Sequence, residues 1–182
     1  MVKLLVLLGI RLKRELVDWY RAIWSPVTLP KHNFIAWIIA HQALKLKDKL
    51  VQYGVCVDDL CCICQMHPET HQHLFTNCKF SQELLLIVGN WLGTDIRADG
   101  FILTFARRRW SKLRKRVTTS AVIACWYFIW MQRNEARLHQ CLTRPSIIAS
   151  QVQEVIRSRF SCCKPACISQ KEVHWLSKVQ LV

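Results

Sequence analysis

Residues 61 to 78 read CCICQMHPETHQHLFTNC. Four cysteines and three histidines share this window with almost no apolar content of helical period, and nothing else constrains the chain as strongly. Cys61 and Cys64 form a C-x2-C pair, the spacing that lets one tight turn aim two thiolates at a single ion. His73 and Cys78 complete C-x2-C-x8-H-x4-C. Three soft sulfurs and one imidazole suit tetrahedral Zn2+ and leave no position open for water, so one structural ion is expected. Binding of this kind supplies roughly 10–16 kcal/mol of apparent free energy, comparable to the whole stability of a small domain. Cys62 should point away from the pair as a small packing residue. His71 is an alternative to His73, but Leu74 and Phe75 can pack under a site at His73. His67 lies too close to Cys64 for easy closure. Coincidental cysteines are disfavoured because four ligands fall in order, and a redox dithiol because no βαβ pattern surrounds the pair.

Ten cysteines bind metal only where thiols stay reduced, so the compartment matters. The opening MVKLLVLLGIRLKR mimics a secretion signal, yet its apolar run is short. Arg11, Lys13 and Arg14 follow directly, and no small-residue cleavage site does. The expectation is the nucleus or cytoplasm, neither secreted nor transmembrane. The longest later apolar run, AVIACWYFIWM, falls well short of the ~20 residues of a membrane-spanning helix. A formal charge of +14, from 26 Lys plus Arg against 12 Asp plus Glu, points to a polyanionic partner.

Helical spacing dominates the rest. Leu12, Leu16, Trp19, Tyr20 and Ile23 share a face over residues 11 to 24, and Ser25-Pro26 stops that helix. Asn33 is a candidate cap for the run FIAWIIAHQAL, with Phe34, Trp37, Ile38 and His41 helically spaced. A short helix in KDKLVQYG should end at a left-handed Gly54, and ELLLIVGNWLG should end near Gly93. ARRRWSKLRKR then carries seven basic residues and no acid. A long helix follows, with caps expected at Thr119 or Ser120, and then an amphipathic helix on which Ile148, Val152, Val155, Ile156 and Phe160 share one face. Strand alternation is nowhere convincing, so the fold class is mainly α. The expected organisation is a zinc-centred domain over 11–93, a basic linker over 94–118, a helical segment over 119–160 and an irregular tail over 161–182, in which Cys162, Cys163 and Cys167 show no pattern.

Together these residues resemble the reverse-transcriptase zinc-binding domain of plant non-LTR (LINE-type) retrotransposons. The resemblance is carried by Trp19, Trp24, Leu29-Pro30-Lys31, Phe34-Ile35, Trp37, Leu44, Asp48, Leu50, Gly54, Cys61, Cys64, Glu69-Thr70, His73-Leu74-Phe75, Cys78 and Phe80-Ser81. Downstream, Trp130, Arg133 and Asn134 resemble the W-x-x-R-N segment that commonly follows that domain, so the likeness runs from about residue 19 to about 140. Two positions depart from the pattern. Leu46 stands where a threonine is usual and Leu85 where a tryptophan is, which leaves the ligands intact and bears on helix packing.

Catalysis is not expected. A polymerase needs carboxylates that hold two metal ions, and the only adjacent pair, Asp58-Asp59, follows Cys56 and Val57 rather than an aromatic residue. No Gly-rich phosphate loop is present, and Cys125 and Cys141 lie in apolar helical pattern as inert thiols. The resemblance implies help in positioning element RNA or target DNA. Arg107, Arg108, Arg109, Lys112, Arg114, Lys115 and Arg116 are the candidate phosphate contacts, and Trp110 could stack on a base. The competing expectations are a protein-contact role, with self-association through the apolar faces of residues 11 to 24 and 146 to 160, and a mobile-element remnant without selected function. No small-molecule substrate or membrane partner is expected.

Overall fold

A computed structural model of the chain describes residues 23–96, 108–165 and 167–182. Arg107 and the helix expected before residue 23 lie outside the described residues. The fold is mainly helical. Helices α1 (Pro30–Ala40) and α2 (Lys47–Gln52) precede the Cys/His loop; a π-helical turn (His73–Asn77) and α3 (Lys79–Leu92) follow it. Helices α4 (Lys112–His139), α5 (Pro145–Cys162) and α6 (Gln170–Lys178) complete the described order. The only strand-like pairing among the described residues is an isolated antiparallel bridge between Leu60 and Pro68.

Helix α4 organises the rest. At 28 residues it is roughly 42 Å long. It packs against α1, α3, α5 and the π turn, while α3 also packs on α5. Leu113, Val117, Ala121 and Ala124 carry one apolar stripe back into the basic run, and all four are buried. That stripe explains why the cap lies eight residues before Thr119 and nine before Ser120: it is Ser111, accepting the Arg114 N–H at 3.1 Å. Thr119 and Ser120 are instead interior, and the Ser120 hydroxyl pairs with that of Thr28 at 2.8 Å. The last seven residues of the expected basic linker, 112–118, are therefore helix.

Three further expectations change. Asn33 is not a cap; Pro30, whose fixed φ suits a first helical position, starts α1, and Asn33 is buried inside it. The tail is not wholly irregular, because Ser169 and Glu172 form a reciprocal capping box that starts α6. The apolar face of α5 is covered within the chain, with Ile148, Val152, Ile156 and Phe160 all buried in the shared core. Leu46 and Leu85, the two departures from the resembled pattern, are both core residues as well.

Gly54 and Gly93 adopt left-handed φ of 69° and 64°, as their places at helix ends require. At α3 the Thr94 N–H returns to the Gly89 carbonyl (2.9 Å) and the Gly93 N–H to that of Asn90 (3.1 Å), a Schellman closure. This brings the Thr94 carbonyl within 2.7 Å of where a Cβ at Gly89 would lie. Gly89→Ala gains about 1 kcal/mol of helix propensity but forces two tied backbone segments apart, at about 1–3 kcal/mol. We expect a net loss of about 0–2 kcal/mol in urea unfolding; a more stable variant would show that the closure yields freely.

Candidate metal centre

The Cys/His loop is shaped by its own backbone. Cys61 N–H donates to the His67 carbonyl at 2.8 Å, Gln65 N–H to Cys61 at 2.8 Å, and Glu69 N–H to Asp59 at 2.7 Å. Gln65, with φ 54°, turns the chain directly after Cys64. Thr70 then starts the π turn, its hydroxyl accepting the His73 N–H at 3.0 Å. Leu74 and Phe75 are buried in the core beneath, and Cys78 stands at the N-cap of α3. Each ligand-type residue is thus held by an element with other structural work.

The outcome is one cluster. The ligand atoms of Cys61, Cys64, His73 and Cys78 all lie within 4.8 Å of one another, and Cys64 Sγ is 3.2 Å from His73 Nε2. A tetrahedral zinc shell sets its sulfur and nitrogen ligands roughly 3.5–3.8 Å apart, so the four side chains reach the ion with shifts in separation of about an ångström. Cys61 and Cys78 are fully buried. The hydrogen bond Cys61 shares with Cys78, together with burial, pushes the Cys61 thiol well up. Receiving that bond, and with the Phe80 and Ser81 N–H groups directed at its sulfur, Cys78 is held below the ordinary thiol value. A helix N-terminus favours a thiolate in the same sense. Burial, followed by the charge of His67, lowers His73 and keeps its imidazole neutral, the form that ligates. A cation would take the place of the proton shared by the two sulfurs.

The neighbours resolve the alternatives. His67 does not join the cluster but stacks on His73 at a centroid distance of 5.2 Å. His71 turns away and shares a 3.2 Å hydrogen bond with the Leu44 carbonyl. Cys62 lies outside the ligand group; its thiol is pushed up to about 11 by burial first and then by Glu69. It faces the feature that the ligand spacing gave no reason to seek. Glu69, fully buried, receives the Arg133 guanidinium through Nε at 3.0 Å and NH2 at 2.7 Å. The same carboxylate accepts the Cys62 N–H and the Lys47 N–H, both at 3.1 Å. One side chain therefore fixes the C-x2-C turn, caps α2 where Leu46 offers no oxygen, and ties both to the C-terminal third of α4. Burial works to raise Glu69, but the bonds and charge of Arg133 and the bonds from Cys62 outweigh it and keep the carboxylate ionised.

The basic residues are divided. Arg109, Lys112 and Arg116 are exposed, and Lys115 is half-buried. Arg108 and Arg114 lie against the Trp110 ring, 4.9 and 4.5 Å from its centroid, so that indole is engaged by guanidinium groups. Stacking of a base on Trp110 would have to displace one of them. Asp58 pairs with Lys47 at 2.8 Å and accepts the Leu60 N–H at 3.0 Å. Among the described residues no helix is long and apolar enough to cross a membrane.

Comparison with known proteins agrees with the centre. Residues 8–84 match the family described as zinc-binding in reverse transcriptase, a span that contains all four clustered residues. No curated protein and no solved structure matches the chain.

Proposed function

We propose that this chain is a non-catalytic module, stabilised by one zinc ion on Cys61, Cys64, His73 and Cys78, that helps a plant LINE-type reverse transcriptase hold element RNA or target DNA. The observation that carries the reading is the closed Cys3His cluster inside a segment similar to the zinc-binding family of reverse transcriptases. Four protein ligands complete a tetrahedron, so an ion held there shapes the protein and leaves no site for substrate. The polyanion partner is supported by the charge of +14 and by the exposed Arg109, Lys112 and Arg116 at the start of α4. Its place of action is the nucleus or the cytoplasm, where thiols stay reduced.

The test is oligonucleotide binding against salt. Phosphate contacts release counterions, giving a log–log slope of roughly 0.7–0.9 per neutralised phosphate. Fluorescence anisotropy of a labelled oligonucleotide should show a slope of about −2 to −4 with little sequence preference, as roughly three to five contacts require. Salt-insensitive or absent binding, together with concentration-dependent association, would replace this reading with a protein-contact role.

A further inference from the structure

Helix α6 builds a surface that the basic run alone does not describe. Its Trp175 donates through the indole N–H to the Leu92 carbonyl at 3.2 Å, and Trp91 donates likewise to Val179 at 2.9 Å. These two bonds fasten α6 across the end of α3. Around them arginines and indoles alternate. Arg108 and Arg114 lie on Trp110; Arg114 also lies 5.2 Å from the Trp175 centroid; Arg157 of α5 lies 6.0 Å from that of Trp91. The three indoles are half-buried, so each keeps part of its ring open to solvent.

Building on the nucleic-acid reading above, we infer that this arginine–tryptophan row, running from the N-terminus of α4 over α6 to Arg157, binds the phosphodiester backbone. Two observations point to an anion. Arg114 and Arg157 hydrogen-bond only to neutral oxygens among the described residues: Arg114 to the Gly93 carbonyl at 3.5 Å, Arg157 to the amide oxygens of Gln153 and Gln180. Arg114 Nε is buried with no hydrogen-bond partner among the described residues. Among the described residues the acids on the adjoining segments include Asp95, beside Thr94, Glu154, three residues before Arg157 on α5, and Glu172, which is engaged by Ser169 and Ser111 at the cap of α6. Stacked guanidinium groups are already ordered, so less rotamer entropy is lost when phosphate arrives than with free lysines. A row of separated cations suits a polymer of phosphates better than a single one.

The experiment uses the full, metal-loaded chain with labelled 20-nucleotide RNA and DNA of one sequence, read by anisotropy across salt. Arg157→Gln removes a charge outside the basic run and should weaken binding about 3- to 10-fold while reducing the salt slope by about one. Arg114→Lys keeps the charge but loses the planar stack, and should weaken binding similarly while lowering the melting temperature by no more than about 2–8 °C, with the chain still folded at the assay temperature. Lys45→Gln, which removes a charge beside Tyr53 well away from the row, is the control. If Arg157→Gln and Arg114→Lys bind like Lys45→Gln while wild type binds with a salt slope, the row is excluded and the nucleic-acid reading survives. No binding by wild type overturns both. The RNA and DNA arms show which polymer carries the phosphates that the row prefers.

Discussion

Replacing Arg133 with methionine should cost about 3–5 kcal/mol of stability, the effect of leaving a buried charge without its partner. Glu69 is fully buried and receives two short bonds from Arg133, so its remaining donors, the backbone N–H groups of Lys47 and Cys62, cannot compensate for the loss. Either the carboxylate takes up a proton or water enters between the loop and α4; both loosen the turn that sets Cys61 and Cys64. A Glu69→Gln, Arg133→Met double variant should recover part of the loss, because a neutral amide oxygen still accepts one of those N–H bonds. The expected coupling is of order 1–3 kcal/mol. The measurement is urea unfolding at fixed free zinc, since any metal that binds only the folded state shifts the apparent stability. Arg137→Met, at an exposed contact 3.6 Å from the Cys56 sulfur, is the comparison and should change little. Equal effects of the two arginine substitutions would mean that the pair does not hold the loop to the helix.

That pair also marks the limit of what the sequence discloses. The four clustered residues lie within one short window, where spacing alone dictates that they can meet, and they were legible for that reason. The mainly helical class was legible too, because 3.6-residue periodicity is a local signal repeated along the chain. Glu69 and Arg133 are 64 residues apart, and no local pattern says that an acid in a metal loop will face an arginine in a distant helix. The likeness to two separate motifs, Glu-Thr before the histidine and Trp-x-x-Arg-Asn downstream, named both residues without showing that they touch.

Elsewhere the signal was present but outweighed. Ser169-x-x-Glu172 is a capping-box pattern, and Trp175, Leu176 and Val179 follow it at helical spacing, yet α6 is only nine residues long. The start of α4 was concealed because basic residues surround Leu113 and Val117, and a charged run reads as a linker unless its apolar stripe is followed. Trp110 shows the converse: its place among arginines was plain, whereas its engagement by Arg108 and Arg114 is a tertiary fact.

Cys64→Ser should abolish metal binding and unfold the loop, whereas Cys62→Ser should retain the ion. The two cysteines are neighbours of similar exposure, so a generic loss of thiols or of packing would affect them alike. Only Cys64 lies in the ligand cluster; Cys62 faces Glu69, and its raised thiol is a poor source of thiolate. Apparent zinc-binding free energies in such sites are about 10–16 kcal/mol, against about 5–15 kcal/mol for the net stability of a domain. Loss of the ion therefore leaves little margin. Damage should spread beyond the loop, because His73 and Cys78 bracket Leu74 and Phe75, which anchor the π turn in the core beside α4. Native mass spectrometry should find one zinc per chain in wild type and Cys62→Ser and none in Cys64→Ser, with helical circular dichroism falling in step with the metal. A wild-type chain that stays folded after chelation would show that the cluster is held by its surroundings alone. In that case the hydrogen-bonded loop and the Glu69–Arg133 pair, rather than the ion, would be what builds the site.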